Sequence, residues 1–137
     1  MKRLIFTIFA LSACTNGARR EAASLASAVE RYRHAENIQK PAEAVTIARV
    51  ACSDPDVCDA KNACLAMSEP TSRGLALKAE VEQGLKDLEA KRITPESQAA
   101  HALAQKLEDS SRLLEKGRAA LPACDEKVLA LRLKYAL

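Results

Sequence analysis

Five cysteines are the residues of this chain best placed to do chemistry: Cys14, Cys52, Cys58, Cys64 and Cys124. A thiolate can ligate a metal, exchange disulfides or carry a covalent group. Spacing narrows the choice. Cys52, Cys58 and Cys64 are each separated by five residues, wider than the roughly two to four of a structural zinc knuckle. There is no Cys-x-x-Cys pair to lower a thiol pKa. The only histidines, His34 and His101, fall opposite Leu77 and Lys86 if the helices fold back on one another, too far apart to share a metal. Most carboxylates sit three or four residues from a base, as in Glu82 with Lys86 and Asp87 with Lys91, the pattern of an exposed helix face. No serine has a nucleophile-elbow context. Gly74, Gly84 and Gly117 stand alone in helical stretches, suited to close packing and not to cradling phosphate. The chain is not expected to be an enzyme, and no metal or cofactor is expected.

Cys14 stands apart from the other four. The chain opens Met1-Lys2-Arg3, continues Leu4-Ile5-Phe6-Thr7-Ile8-Phe9-Ala10, and reaches Leu11-Ser12-Ala13-Cys14. A positive segment, a short apolar run and small residues before a cysteine make an export signal. The apolar run is shorter than the roughly 20 residues of a membrane span. Together these 14 residues resemble the lipobox leader of bacterial lipoproteins. The resemblance implies cleavage after residue 13, a diacylglyceryl thioether on Cys14 and further acylation, palmitate included, of its new amine. Several acyl chains anchor durably, at about 0.8 kcal/mol per buried methylene. In such proteins the next residue influences sorting; Thr15 in place of aspartate favours the outer membrane, with the protein facing the periplasm.

Without its leader the chain would keep 124 residues, one modest domain, and its formal charge would fall from +3 to +1. Both phenylalanines leave with the leader and there is no tryptophan, so the core must be aliphatic around Tyr32 and Tyr135. The charges interleave and form no basic patch, which argues against nucleic acid as a partner.

Residues 14–19 read as the lipidated cysteine and a short tether, and residues 20–137 as a helical domain. From Arg20 the composition is dominated by Ala, Leu, Glu, Lys and Arg, strong helix formers. Apolar residues recur at helical spacing: Leu25, Val29 and Tyr32, then Val45, Ala48 and Cys52, then Leu77, Val81, Leu85 and Leu88. A heptad seam follows at Leu103, Leu107, Ser110, Leu114, Gly117 and Leu121. "SDPDVCD" marks one turn, and "RITPES" another, with Thr94 as cap and Pro95 in the first helical turn. Helices are predicted over 20–51, 59–91 and 95–121. Pro41 and Pro70 kink or interrupt the first two, Pro122 ends the third, and a short amphipathic piece covers 125–136. The fold class is all-α, an elongated antiparallel three-helix bundle; stacked helical layers are the alternative.

An exported chain with four further cysteines is expected to oxidise them. In the hairpin model Cys52 and Cys58 straddle one turn, whereas Cys64 and Cys124 are equidistant from the turn near Ile93. This predicts Cys52–Cys58 and Cys64–Cys124, worth about 2.4 and about 4.3 kcal/mol in the loop-entropy picture. The stapled end would stand roughly 50 Å from the anchor. Function is then expected to lie in binding: a structural or accessory subunit held to the membrane by its lipid and contacting another envelope protein. Val128, Leu131, Leu133 and Tyr135 are the possible contact surface, with packing onto the bundle as the competing account. An inhibitor or immunity lipoprotein, or a metal- or thiol-handling periplasmic protein, are the alternatives.

Overall fold

A computed structural model describes the backbone of residues 11–137 and the side chains of residues 16–137. Most of the expected leader, and the side chain of Cys14, lie outside the described residues. Four helices follow in order: α1 (Leu11–His34), α2 (Lys40–Arg49), α3 (Pro55–Glu89) and α4 (Gln98–Tyr135). The described chain is all-helical. Residues 15–19, expected as a tether, continue α1.

The first departure from expectation is the break at 35–39. A proline inside a helix loses an amide donor and crowds the carbonyl four residues back. The chain avoids this by stopping at His34 and restarting at Lys40, which places Pro41 in the first turn of α2, where no intrahelical donor is required. Lys40 secures the corner. Its Nζ donates to Tyr32 O at 2.7 Å and lies 4.7 Å from the centre of the Tyr32 ring. The restart resets the helical phase, so Ala44 and Ile47 of α2 face inward, while Val45 and Ala48 are exposed.

The other end signals also shift. Asp54 caps α3, its carboxylate accepting from the amides of Asp56 and Val57, so the helix starts at Pro55 and not near 59. Ser97, not Thr94, caps α4, its hydroxyl accepting from the Ala100 amide at 3.2 Å. Pro70 is carried inside α3 and Pro122 inside α4. The helix expected to stop at Pro122 therefore runs straight through to Tyr135. Gly117 before it and Cys124 after it both pack on α3, and this contact on either side outweighs the missing hydrogen bond.

Cross-helix contacts fix the topology. Arg33 pairs with Asp125, Arg132 with Glu30 at 3.3 Å, and Arg19 reaches Ala136 O at 3.4 Å, so α1 is antiparallel to α4. The Tyr32 hydroxyl donates to Ser68 O at 3.2 Å, and the amide and hydroxyl of Ser53 donate to the Glu21 carboxylate, so α1 is parallel to the start of α3. Lys61 Nζ donates to Val50 O, and the Ser72 hydroxyl donates to Lys40 O, so α2 is antiparallel to α3. The result is a four-helix base rather than a three-helix bundle. It is made from α1, α2, the first half of α3 and the last half of α4. Its apolar cluster joins Leu25, Val29 and Tyr32 to Ile47, Val57, Cys64, Met67, Cys124, Val128 and Leu131.

Beyond the base, α3 and α4 continue as a hairpin arm. From Ser72 to Glu89 the rise is about 26 Å at 1.5 Å per residue. Between Val81 and Ser110 no residue is buried. The expected heptad seam does meet α3 in part: Leu103 lies against Gly84 and Leu114 against Gly74, and its small members come closer still. Ser110 donates to Gly74 O at 2.8 Å, and a Cβ on Gly117 would fall 2.9 Å from Met67 O. Leu107 and Leu121 on the same helix are exposed. At the tip, Lys91 adopts the left-handed conformation (φ 56°) and ends α3. Its amide donates to Leu88 O, and that of Arg92 to Asp87 O, the bonds of a Schellman motif.

Candidate functional site

Both disulfides are present with the expected connectivity. Cys52 and Cys58 have Cα atoms 5.1 Å apart, and Cys64 and Cys124 4.6 Å apart. Cys64 and Cys124 are fully buried in the apolar cluster, whereas Cys52 and Cys58 are half-buried at the 50–54 turn. Paired sulfurs offer no thiolate to a metal. His34 is exposed and bonds Glu30 at 3.0 Å, and His101 is exposed in the first turn of α4. Among the described residues no three His, Cys, Asp or Glu side chains converge as metal ligands, and no helix is long and apolar enough to cross a membrane.

The Cys52–Cys58 staple does not stand far from Cys14, whereas Cys64–Cys124 lies level with the other end of α1, beside the Arg33–Asp125 pair. Because α2 folds back along α1, the chain returns to the N-terminal end of α1 before the 50–54 turn, and the Glu21–Ser53 bonds hold that turn there. The element remote from Cys14 is the arm tip at 90–97. For Cys52–Cys58 this reverses the expected placement, and its cause is the break at 35–39.

The four residues expected as a contact surface separate. Val128 and Leu131 are buried against α1 and α3 and belong to the core; Tyr135 is half-buried at its edge. Only Leu133 points out, 76% exposed. The apolar face of this tail is largely covered by α1, whose register along α4 cannot be foreseen before the corner at 35–39 is known.

A second apolar surface lies where base meets arm. Ile38, at the corner between α1 and α2, is 87% exposed. With Asn37 and Pro41 it faces Leu75, Ala76 and Ala79 of α3 across a groove of about 520 Å³, rimmed by Lys78 and Glu82. Sequence reasoning missed it. The available signal was a lone isoleucine three residues before a proline, in a stretch assigned to continuous helix.

Charge is arranged mainly around the base. Hydrogen bonds from Ser53 hold the Glu21 carboxyl below its ordinary value, and the bond with Lys134 does the same for Asp56. Lys134 Nζ lies 2.6 Å from Asp56 and 3.8 Å from Asp54, which latches the end of α4 to the start of α3. A hydrogen bond with His34 lowers Glu30, while burial lowers Lys40. At the arm tip, Arg92 lowers Asp87 through a 2.6 Å contact.

No protein-family model, curated protein or solved structure matches this chain.

Proposed function

We propose that this chain is a lipoprotein of the bacterial cell envelope, held through acylated Cys14, that works non-enzymatically by binding another envelope protein at the groove between base and arm. One observation carries the binding site: Ile38 stands almost fully exposed beside an apolar wall of Leu75, Ala76 and Ala79. An exposed apolar patch rimmed by polar residues is the usual mark of an interaction surface. The anchor rests on the resemblance of residues 1–14 to a lipobox leader, and Thr15 favours the outer membrane with the domain in the periplasm. Two disulfides suit that oxidising compartment.

Two measurements test this reading. Protein extracted from membranes should have the mass of a chain beginning at Cys14 with acyl additions; a chain without lipid overturns the anchor. A photo-crosslinking amino acid at Ile38 should give one discrete adduct in living cells, lost when Ala76→Glu is added, while the same group at exposed Ala48 gives none. No adduct at Ile38, or equal adducts at both positions, overturns the groove as the binding site.

A further inference from the structure

The side of α4 turned away from the core carries a second apolar feature, at the opposite end of the molecule from the arm. Leu129 and Leu133 are 57% and 76% exposed, and Leu137, just past the left-handed Ala136, is 44% exposed. Positions four apart lie one above the other on a helix, so Leu129 and Leu133 form an outward stripe, below which the chain turns off the helix at Ala136. The stripe ends upward at exposed Glu126. Leu137 also lines a groove with Asn16, Arg19, Arg20 and Ala23 of α1. Arg19 reaches Ala136 O at 3.4 Å, and neither Arg19 nor Arg20 forms an ion pair with a described residue.

What could cover these leucines is set by their place in the chain. Cys14 precedes Arg19 by five residues on the same helix, a rise of about 7.5 Å. The headgroup layer on each side of a bilayer is about 5–8 Å thick, from a total near 40–45 Å around a 30 Å core. An acyl chain on Cys14 would therefore put Arg19, Arg20 and Leu137 at the height of the lipid phosphates. A lean toward α4 brings Leu133 to the same level. Two unpaired guanidinium groups beside protruding leucines have the composition of a membrane-surface contact.

We propose that the last two turns of α4, with Arg19 and Arg20, dock on the surface of a bilayer containing anionic phospholipid. This rests on the anchor proposed above. The contact gives the tethered molecule a fixed tilt, with the stripe against the headgroups and the arm held away.

The absence of tryptophan makes the test direct. Leu133→Trp and, on the arm, Leu107→Trp each introduce one indole into the full chain isolated from membranes. Both are reconstituted in vesicles of phosphatidylcholine and phosphatidylglycerol with brominated acyl chains. Quenching of about twofold or more is expected for Leu133→Trp and none for Leu107→Trp. Quenching equal to that of Leu107→Trp overturns the proposal. So does a blue shift without quenching, which marks a second copy or a protein as the occupant. Equal quenching in phosphatidylcholine alone overturns the role of Arg19 and Arg20. Intact mass on the same samples separates the two ideas. Acylation without quenching overturns the docking face alone, and quenching of a chain without acyl groups overturns the anchor and supports the face.

Discussion

The two halves of the α3–α4 hairpin are built differently. In the base, α1 and α2 cover the hairpin, and the cluster around Leu25, Val29, Ile47, Val57, Cys64 and Cys124 is sealed from water. In the arm, past the groove beside Ile38 and Pro41, the same two helices meet only each other. They approach through Gly74, against Ser110 and Leu114, and Gly84, against Leu103; Val81 is the only buried large apolar side chain past Pro70 on α3, and Leu85 and Leu107 remain exposed. Two helices alone bury one narrow stripe each, whereas four share an enclosed core. The arm's helicity therefore depends on continuity with a base that supplies most of the burial. Regions with few buried apolar contacts open locally at lower free energy than a core does, so the arm is expected to exchange its amide hydrogens faster than the base.

The comparison can be broken most forcefully at the buried disulfide. Replacing Cys64 and Cys124 together by alanine should cost about 4 kcal/mol in denaturant unfolding. A loss below about 1 kcal/mol would mean that the base holds its register without the cross-link. Next comes a matched pair of truncations. Leu25→Ala, in the sealed cluster, should cost about 3 kcal/mol, whereas Leu107→Ala, half exposed on the arm, should stay below about 0.5 kcal/mol. Equal costs would erase the distinction between the halves.

Smaller changes sharpen it. Lys91 holds a left-handed conformation at the arm tip, which a β-carbon disfavours, so Lys91→Gly should stabilise the molecule by about 0.5–1 kcal/mol. The gain should appear as slower amide exchange at the ends of α3 and α4. Acid should produce the smallest effect. Glu21, Glu30 and Asp56 titrate below their ordinary values in the base, and Asp87 does so at the tip. A carboxylate with a depressed folded-state pKa contributes stability above its unfolded value and loses it as pH falls through the folded one. Unfolding temperatures should thus be flat near neutrality and fall only below about pH 4. Asp56→Asn should flatten that fall, and an unchanged acid limb would show that the Lys134 latch contributes nothing.

Much of this design is legible in the residues. Helical composition follows from Ala, Leu, Glu, Lys and Arg, and both cysteine pairings follow from equal distances to two turns. Cys64 and Cys124 meet because local signals place the 90–97 turn midway between them. The break at 35–39 was not legible, because "kinks or interrupts" is as far as a proline in a helical stretch can be read. The choice depends on the Lys40 contacts with Tyr32 and on what the freed α2 packs against. Pro122 teaches the converse: its intrinsic penalty is unchanged, yet packing on both sides carries the helix through. The apolar face of Val128 and Leu131 was visible, and packing onto the bundle was one of its two readings; which helices cover it was not legible. The Ile38 groove exists only because of the break, so it was hidden with it.

The 60-residue separation of Cys64 and Cys124 has one more consequence. The arm is a covalently closed ring attached to the base at its waist. The exposed residues Lys91 and Arg92 lie in the turn at its tip, where trypsin would find them first. A cut there leaves both fragments joined, so the nicked molecule migrates as one chain until it is reduced. Damage to the arm need not release any part of the protein.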